Sequence, residues 1–210
     1  MQPFTTKDRA AISAAIAQAE ENTSGEIVVV AAIASDGYRS FGLLWAALLA
    51  LAAPIPFIFA TKWPVQYIYL IQLAVFLAFG ILFQLERVRY FIVPPSVKRA
   101  RAHQRAVEQF LVQNMHTTKG RTGVLIYVSF VEHYAEIIAD DGIYRKVSPS
   151  AWEDIVNELT GHLGRGTATQ GFIRAIEACG EILATHFPPG SVAENELPNH
   201  LIVLDAYGRP

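Results

Sequence analysis

The sequence predicts an α/β fold: a mixed sheet flanked by helices and interrupted by a two-helix transmembrane hairpin. Three observations lead there. Short runs rich in valine and isoleucine alternate with longer segments of helical period, the pattern of a layered α/β domain. Between the first such run and the next helical segment lie two uncharged stretches, each about twenty residues or slightly longer, enough to cross a hydrocarbon core. Only 17% of residues are charged and 52% are hydrophobic, with a mean hydropathy of +0.28. Soluble domains carry about a quarter charged residues.

The 210 residues suffice for one large domain or two small ones. The formal net charge of −2 offers no basic field for nucleic acid, so no nucleic-acid partner is expected. A single cysteine, Cys179, excludes an intramolecular disulfide framework and a cysteine-only zinc site.

The first element is a helix. Thr5 is placed to cap it, with Asp8 three residues on in the reciprocal position of a capping box, and Ile12, Ile16 and Ala19 share one face. Asn22 to Gly25 ends it. Glu26 to Ala34 (EIVVVAAIA) is a continuous apolar run, the signature of a strand buried on both faces. The polar stretch Ser35 to Ser40 then leads into the first uncharged run, residues 41–60. The second run, residues 63–85, follows after Thr61-Lys62, so the two should form a hairpin with Lys62 at its tip. Pro54 and Pro56 should kink the first span. Trp45, Trp63, Tyr67 and Tyr69 sit near run ends, where amphipathic rings favour the headgroup layer. Neither span holds an ionisable residue, so nothing suggests a proton or ion path.

Charge on the flanks sets the expected orientation. Arg87, Arg89, Lys98, Arg99, Arg101 and Arg105 follow the second run, whereas Arg39 precedes the first and Lys62 alone marks the tip. The positive-inside rule places both termini in the cytoplasm, as a two-span protein of the cell inner membrane. The basic cluster from Lys98 to Arg105 also suits anionic lipid head groups. The N-terminus lacks an apolar stretch and carries Asp8, unlike a signal peptide.

Past the hairpin, Pro94-Pro95-Ser96 opens a helix over Val97 to Asn114, with Val107, Phe110 and Leu111 as its apolar stripe. His116 to Thr122 reads as a loop. Gly123 to Phe130 and Tyr134 to Ala139 read as two strands joined by the turn at Val131-Glu132-His133. Ser148-Pro149 starts a helix whose apolar face is Trp152, Ile155, Val156, Leu159 and Leu163. The stretch GHLGRGTATQG is a glycine-rich break. A last helix over Thr169 to Phe187 buries Phe172, Ile176, Cys179 and Leu183 and stops at Pro188-Pro189-Gly190; LIVLD near the C-terminus suits a short strand. Residues 1–35 hold one helix and one double-faced strand, too little to stand alone. Residues 1–40 and 94–210 are therefore expected to form one discontinuous domain, with parallel strands joined through the helix after the hairpin.

No phosphate loop, dinucleotide fingerprint, zinc-protease motif or nucleophile elbow is present. Three polar groups remain. Asp140-Asp141-Gly142 at the end of the third strand suits either a hard cation such as calcium or a tight turn with a left-handed glycine. Glu132-His133 suits a base or metal pair, or a solvated turn. Lys119, Arg121 and Thr122 suit an anion, or a solvated basic loop. His103, His116, His162, His186 and His200 are scattered, none with a histidine four residues away. The expected polar site is Asp140, Asp141, Glu132 and His133 together at the end of the sheet, holding a divalent cation, with no catalytic residue assigned.

Gly25-Glu26-Ile27-Val28-Val29-Val30, Gly123-Val124-Leu125-Ile126 and Ala135-Glu136-Ile137-Ile138 resemble the three strands of the TPM domain family, also called TPM phosphatases. The resemblance covers about residues 5–35 and 97–187, and the hairpin after the first strand looks like a bacterial membrane-bound branch of it. The resemblance implies a small α/β domain, with acid phosphatase activity in plant relatives and calcium binding in some bacterial ones. Many members carry paired asparagines before the second strand and Gly-x-Gly after the third. Here Arg121-Thr122-Gly123 and Asp140-Asp141-Gly142 stand in those places. The expected function is a membrane-anchored, non-catalytic interaction or assembly module at the cytoplasmic face, with the lipid bilayer and a membrane protein as partners. The alternative is a phosphatase or divalent-cation-dependent hydrolase.

Overall fold

The computed structural model describes residues 4–118, 120–189 and 197–205. The chain falls into two compact units, Met1–Asp36 with Arg99–Pro210, and Gly37–Lys98.

The first unit is built on four strands, β1 (Glu26–Ala32), β2 (Gly123–Ser129), β3 (Tyr134–Ala139) and β4 (Leu201–Leu204), in the order β3-β2-β1-β4. β1 pairs parallel with β2, from Glu26 opposite Gly123 to Ala32 opposite Ser129. β4 pairs parallel with β1 on its other side, and β3 antiparallel with β2. Every residue of β1 and β2 is buried, as their unbroken apolar sequence requires.

The two sheet faces have different covers. Ile27, Val29, Ala31, Val124, Ile126 and Val128 pack under α1 (Thr6–Glu20), α8 (Pro149–Gly164) and α9 (Ala168–His186), through Ile12, Ile16, Leu159, Phe172 and Ile176. Val28, Val30, Leu125, Tyr127, Ile202 and Leu204 face α6 (Pro95–Val112), through Ala106 and Phe110, with Met115 beside them. Each fully buried aliphatic side chain contributes about 1.5–3 kcal/mol, so this double-sided core is the main stabilising term.

The capping box at Thr5 forms as expected. The Thr5 hydroxyl accepts from Asp8 N–H at 3.2 Å, and the Asp8 carboxylate accepts from Thr5 N–H at 2.8 Å. Thr169 adds a bond to Asp8 at 3.0 Å, tying α9 to the start of α1. Cys179 is buried in α9, where desolvation pushes its thiol up to about 12.

Several local expectations are corrected. β1 ends at Ala32, although Ile33 still donates to the Leu204 carbonyl at 3.0 Å. On α6 the buried face is Ala102, Ala106, Gln109 and Phe110, while Val107 and Leu111 are exposed. The Ser148 hydroxyl bonds Ser150 at 2.6 Å instead of capping α8, which relies on Pro149 at its first turn. The break at GHLGRGTATQG is shorter than it reads, because α8 continues to Gly164.

The second unit holds α2 (Arg39–Ala52), α3 (Pro54–Ala60), α4 (Val65–Leu82) and α5 (Glu86–Ile92). The break between α2 and α3 falls at Pro54, where proline opens the new helix. α2 packs on α4, and Gly42 lies so close to the chain after α4 that a Cβ there would stand 3.1 Å from the Phe83 carbonyl oxygen. Phe57 and Trp63 stack across the link, 5.7 Å between centroids. Arg39–Ala60 and Val65–Leu82 are long and apolar enough to cross a membrane, with mean hydropathies of 2.2 and 2.0.

Candidate functional site

The four residues expected to converge do not. Ser129 pairs with Tyr134 at one end of the β2–β3 ladder and Val124 with Ala139 at the other. Glu132 and His133 lie in the turn beyond the first pair; Asp140 and Asp141 lie beyond the second. At about 3.3 Å per residue, β3 alone separates them by about 17 Å. Among the described residues, no group of three or more histidine, cysteine, aspartate or glutamate side chains is placed to hold a metal ion.

Glu132 instead belongs to a buried chain of polar groups at the C-terminal ends of β1 and β2. Its carboxylate accepts from Ser35 N–H at 3.1 Å and from the Ser129 hydroxyl. The Ser35 hydroxyl lies 2.9 Å from both the Ser129 and Tyr127 hydroxyls. All four residues are less than a tenth exposed. Burial pushes the Tyr127 phenol up to about 12, with the Glu132 charge adding to the rise, so it remains a neutral hydrogen-bonding group. The arrangement ties the chain leaving β1 to the β2–β3 turn. His133 stands apart: it is exposed, with φ 50°, supplying the left-handed residue of the turn.

On the rim above, His103 Nδ1 lies 2.9 Å from Glu136, and the Tyr134 hydroxyl donates to the same carboxylate at 3.0 Å. Burial and the Glu136 charge hold the Tyr134 phenol well above its ordinary value. Arg101 pairs with Asp36 at 3.3 Å.

At the opposite end, Asp140 caps the short helix α7 (Asp141–Tyr144) by accepting from Asp141 N–H at 2.7 Å. Its side chain is 6% exposed, and Arg121 approaches Oδ1 to 3.5 Å. Oδ2 is buried and has no hydrogen-bond partner among the described residues. Asp141 points outward, its side chain 76% exposed and 4.0 Å from Arg145. The neighbouring aspartates therefore do not face one ligand together. Of the basic loop, Lys119 lies outside the described residues, Thr122 is buried and donates to the Ser24 carbonyl at 3.0 Å, and Arg121 alone meets a carboxylate. Gly142 is not the left-handed residue of a turn. It is needed because a Cβ there would stand 2.5 Å from the Arg121 carbonyl oxygen; the positive φ falls on Arg121 itself, at 52°.

Glu20, near the same end, carries no sequence signature of a site. It accepts from Ile27 N–H at 2.8 Å. Desolvation first, and the Glu26 charge with it, push its carboxyl up to about 7, against the Ile27 and Asn199 hydrogen bonds. Ser35, Tyr127 and Ser129 were also missed. Their one local signal is a hydroxyl interrupting or closing an otherwise apolar run.

Residues 87–182 match the family model of the TPM domain. That span takes in α6, β2, β3, α7 and α8, and begins after β1. The NMR structure of the BA42 protein from the psychrophilic bacterium Bizionia argentinensis is similar over 95% of this chain and 94% of that one, with a TM-score of 0.59 and 24% identity. At that identity the likeness concerns the fold. No curated protein matches the chain.

Proposed function

We propose that this chain is a membrane-anchored TPM-type module that works by binding a membrane-protein partner rather than by catalysis, at the cytoplasmic face of the inner membrane. The observation that carries this reading is the surface of α2, α3 and α4. Leu51, Phe59, Val65 and Ile81 are 65%, 86%, 77% and 72% exposed, within helices that hold no charge between Phe41 and Ala60 or between Trp63 and Leu85. Apolar area left in water costs about 25 cal/mol per Å², and lipid removes that cost. Cysteine labelling in sealed vesicles and cells tests it. Lys62→Cys should react from outside and Asp205→Cys only from inside, with the buried Cys179 silent in the parent. Reaction of both from one side, or extraction of the chain by alkaline carbonate, would sink the reading.

A second reading, a phosphatase or divalent-cation-dependent hydrolase, draws support from Asp140. Among the described residues nothing donates to that buried carboxylate oxygen, a demand a cation can meet, and calcium suits an oxygen-only donor set of Asp140 and nearby carbonyls. Calorimetry with calcium, magnesium and manganese, and turnover of p-nitrophenyl phosphate, should both be positive in the parent and lost in Asp140→Asn. No heat and no turnover would remove this alternative.

A further inference from the structure

β3 is an edge strand: the sheet order is β3-β2-β1-β4, and among the described residues no strand pairs on its outer side. The ladder tells which backbone groups that edge presents. Asp140 N–H donates to the Gly123 carbonyl at 2.9 Å, so these two form a hydrogen-bonded pair. In an antiparallel ladder such pairs alternate. Ile138, Glu136 and Tyr134 therefore direct N–H and C=O at β2, whereas Ala135, Ile137 and Ala139 direct theirs outward.

Beside that edge runs a groove of about 410 Å³ between β3 and α8, lined by Ala135, Ile137, Tyr144, Trp152, Glu153 and Val156 among others. Its floor is apolar. Trp152 in its wall is 7% exposed, and its indole Nε1 is buried with no acceptor among the described residues. Backbone donors and acceptors on one side and an apolar trough on the other are the two features that strand addition uses: main-chain bonds for affinity, and a pocket for alternate side chains.

Charge decides between occupants. Glu153 on the helix borders the groove, and Glu136 lies at the same strand edge with its carboxylate turned to His103 and Tyr134 on the other face. A second copy paired edge to edge would bring its own Glu136 and Glu153 against these, and a charge in the middle of a short edge strand is a known defence against self-pairing. A strand bearing lysine or arginine meets the opposite field. We propose that the β3 edge and the β3–α8 groove form a docking site for an extended, basic segment of a partner protein, added antiparallel or parallel to β3 as a fifth strand. This deepens the interaction-module reading and rests on it.

The test uses the full chain in zwitterionic detergent micelles, with a fluorescein-labelled peptide of about seven residues, the length of an ordinary strand, alternating Val and Lys. Saturable anisotropy is expected, with at least tenfold slower amide exchange at the outward-facing Ala135, Ile137 and Ala139. The same peptide with Glu for Lys, and one N-methylated at alternate residues, should bind at least tenfold more weakly. Ala135→Pro removes an outward N–H and should abolish binding. Should that variant fail to fold, Glu153→Lys carries the test and should weaken the Lys peptide at least tenfold. Trp152→Phe, which keeps an aromatic ring but loses the indole N–H, should weaken it several-fold. Equal binding of the N-methylated peptide, unchanged exchange in β3, no binding of either charged peptide, or a dimer protected at β3 each overturns the proposal. If the cysteine labelling comes out as expected while the peptides fail, the surface is wrong and the anchored module stands; if the labelling fails, the module reading falls whatever the peptides do.

Discussion

The two ends of the sheet treat their buried polar groups differently. At the C-terminal ends of β1 and β2, Tyr127, Ser35, Ser129 and Glu132 bond to one another and to the Ser35 backbone. At the N-terminal end, Asp140 Oδ2 and Glu20 Oε2 are buried without hydrogen-bond partners among the described residues. Strand ends of a parallel sheet are where α/β folds usually place ligands, at the carboxyl side. Here that side is occupied by the protein's own hydroxyls and carboxylate. A bonded network of this kind rigidifies the fold, whereas an unpartnered oxygen is an unmet requirement. The contrast separates a structural use of buried polarity from a place still able to bind a proton or a cation.

The largest expected effect comes from breaking the bonded end. Glu132→Ala strips the acceptor from Ser35 N–H and from the Ser129 hydroxyl, both in buried surroundings. Leaving such donors unpaired costs about 2–4 kcal/mol. Chemical denaturation of the full chain in mild detergent reads it. Glu132→Gln sharpens the comparison: its amide oxygen still accepts from Ser35, but a donor then meets Ser129, so the loss should be smaller. A neutral Glu132→Ala would show that the network contributes nothing and erase the distinction between the two ends.

What the sequence made visible follows from range. The Thr5–Asp8 capping box spans three residues, and the apolar runs of β1 and β2 declare their own double burial; all were readable directly. The parallel pairing of β1 and β2 was readable because the N-terminal segment is too small to stand alone. The bonded network was not. Ser35 meets Tyr127, Ser129 and Glu132 across 92 to 97 residues of sequence, and nothing local marks a serine as a partner for a distant glutamate. Sequence proximity groups Asp140 with Glu132, because both flank β3. Strand direction undoes that grouping: a residue before a strand and a residue after it lie at opposite ends of the sheet. The sequence offers Gly142 as part of a cation site or as a turn glycine, and its actual requirement, clearance from the Arg121 carbonyl, exists only once the loop is folded against it.

That clearance gives the next effect. Gly142→Ala would place a methyl group 2.5 Å from the Arg121 oxygen, a backbone atom that cannot swing aside like a flexible side chain. Moving the loop or α7 costs about 1–3 kcal/mol. The shift also moves Arg121 relative to Asp140, now 3.5 Å apart. A Gly142→Ala variant as stable as the parent would show that the loop yields freely, and that the setting of Asp140 is not fixed by this packing.

The smallest effect is the most diagnostic, because pH controls its sign. Glu20 has its carboxyl raised from an ordinary 4.5 to about 7, chiefly by desolvation. The folded state therefore holds a proton that the unfolded chain releases at lower pH. Below about 4.5 both states are protonated, and the group has no effect on stability. As pH rises from there the unfolded chain ionises first, so stability falls; the fall is complete once pH passes about 7, when the folded carboxyl also ionises. The full shift sets a ceiling of about 3 kcal/mol, and partial exposure to water reduces the expected cost to about 1–2 kcal/mol. Glu20→Gln imitates the protonated acid and keeps an oxygen for the Ile27 N–H. It should match the parent at pH 4 and exceed it by about 1–2 kcal/mol at pH 8. The difference between the two denaturation curves, followed across that range, should bend between about 4.5 and 7. A constant difference would mean that the Glu20 carboxylate already finds at neutral pH the solvation or partner it needs, and the N-terminal end of the sheet would then be as well bonded as the other.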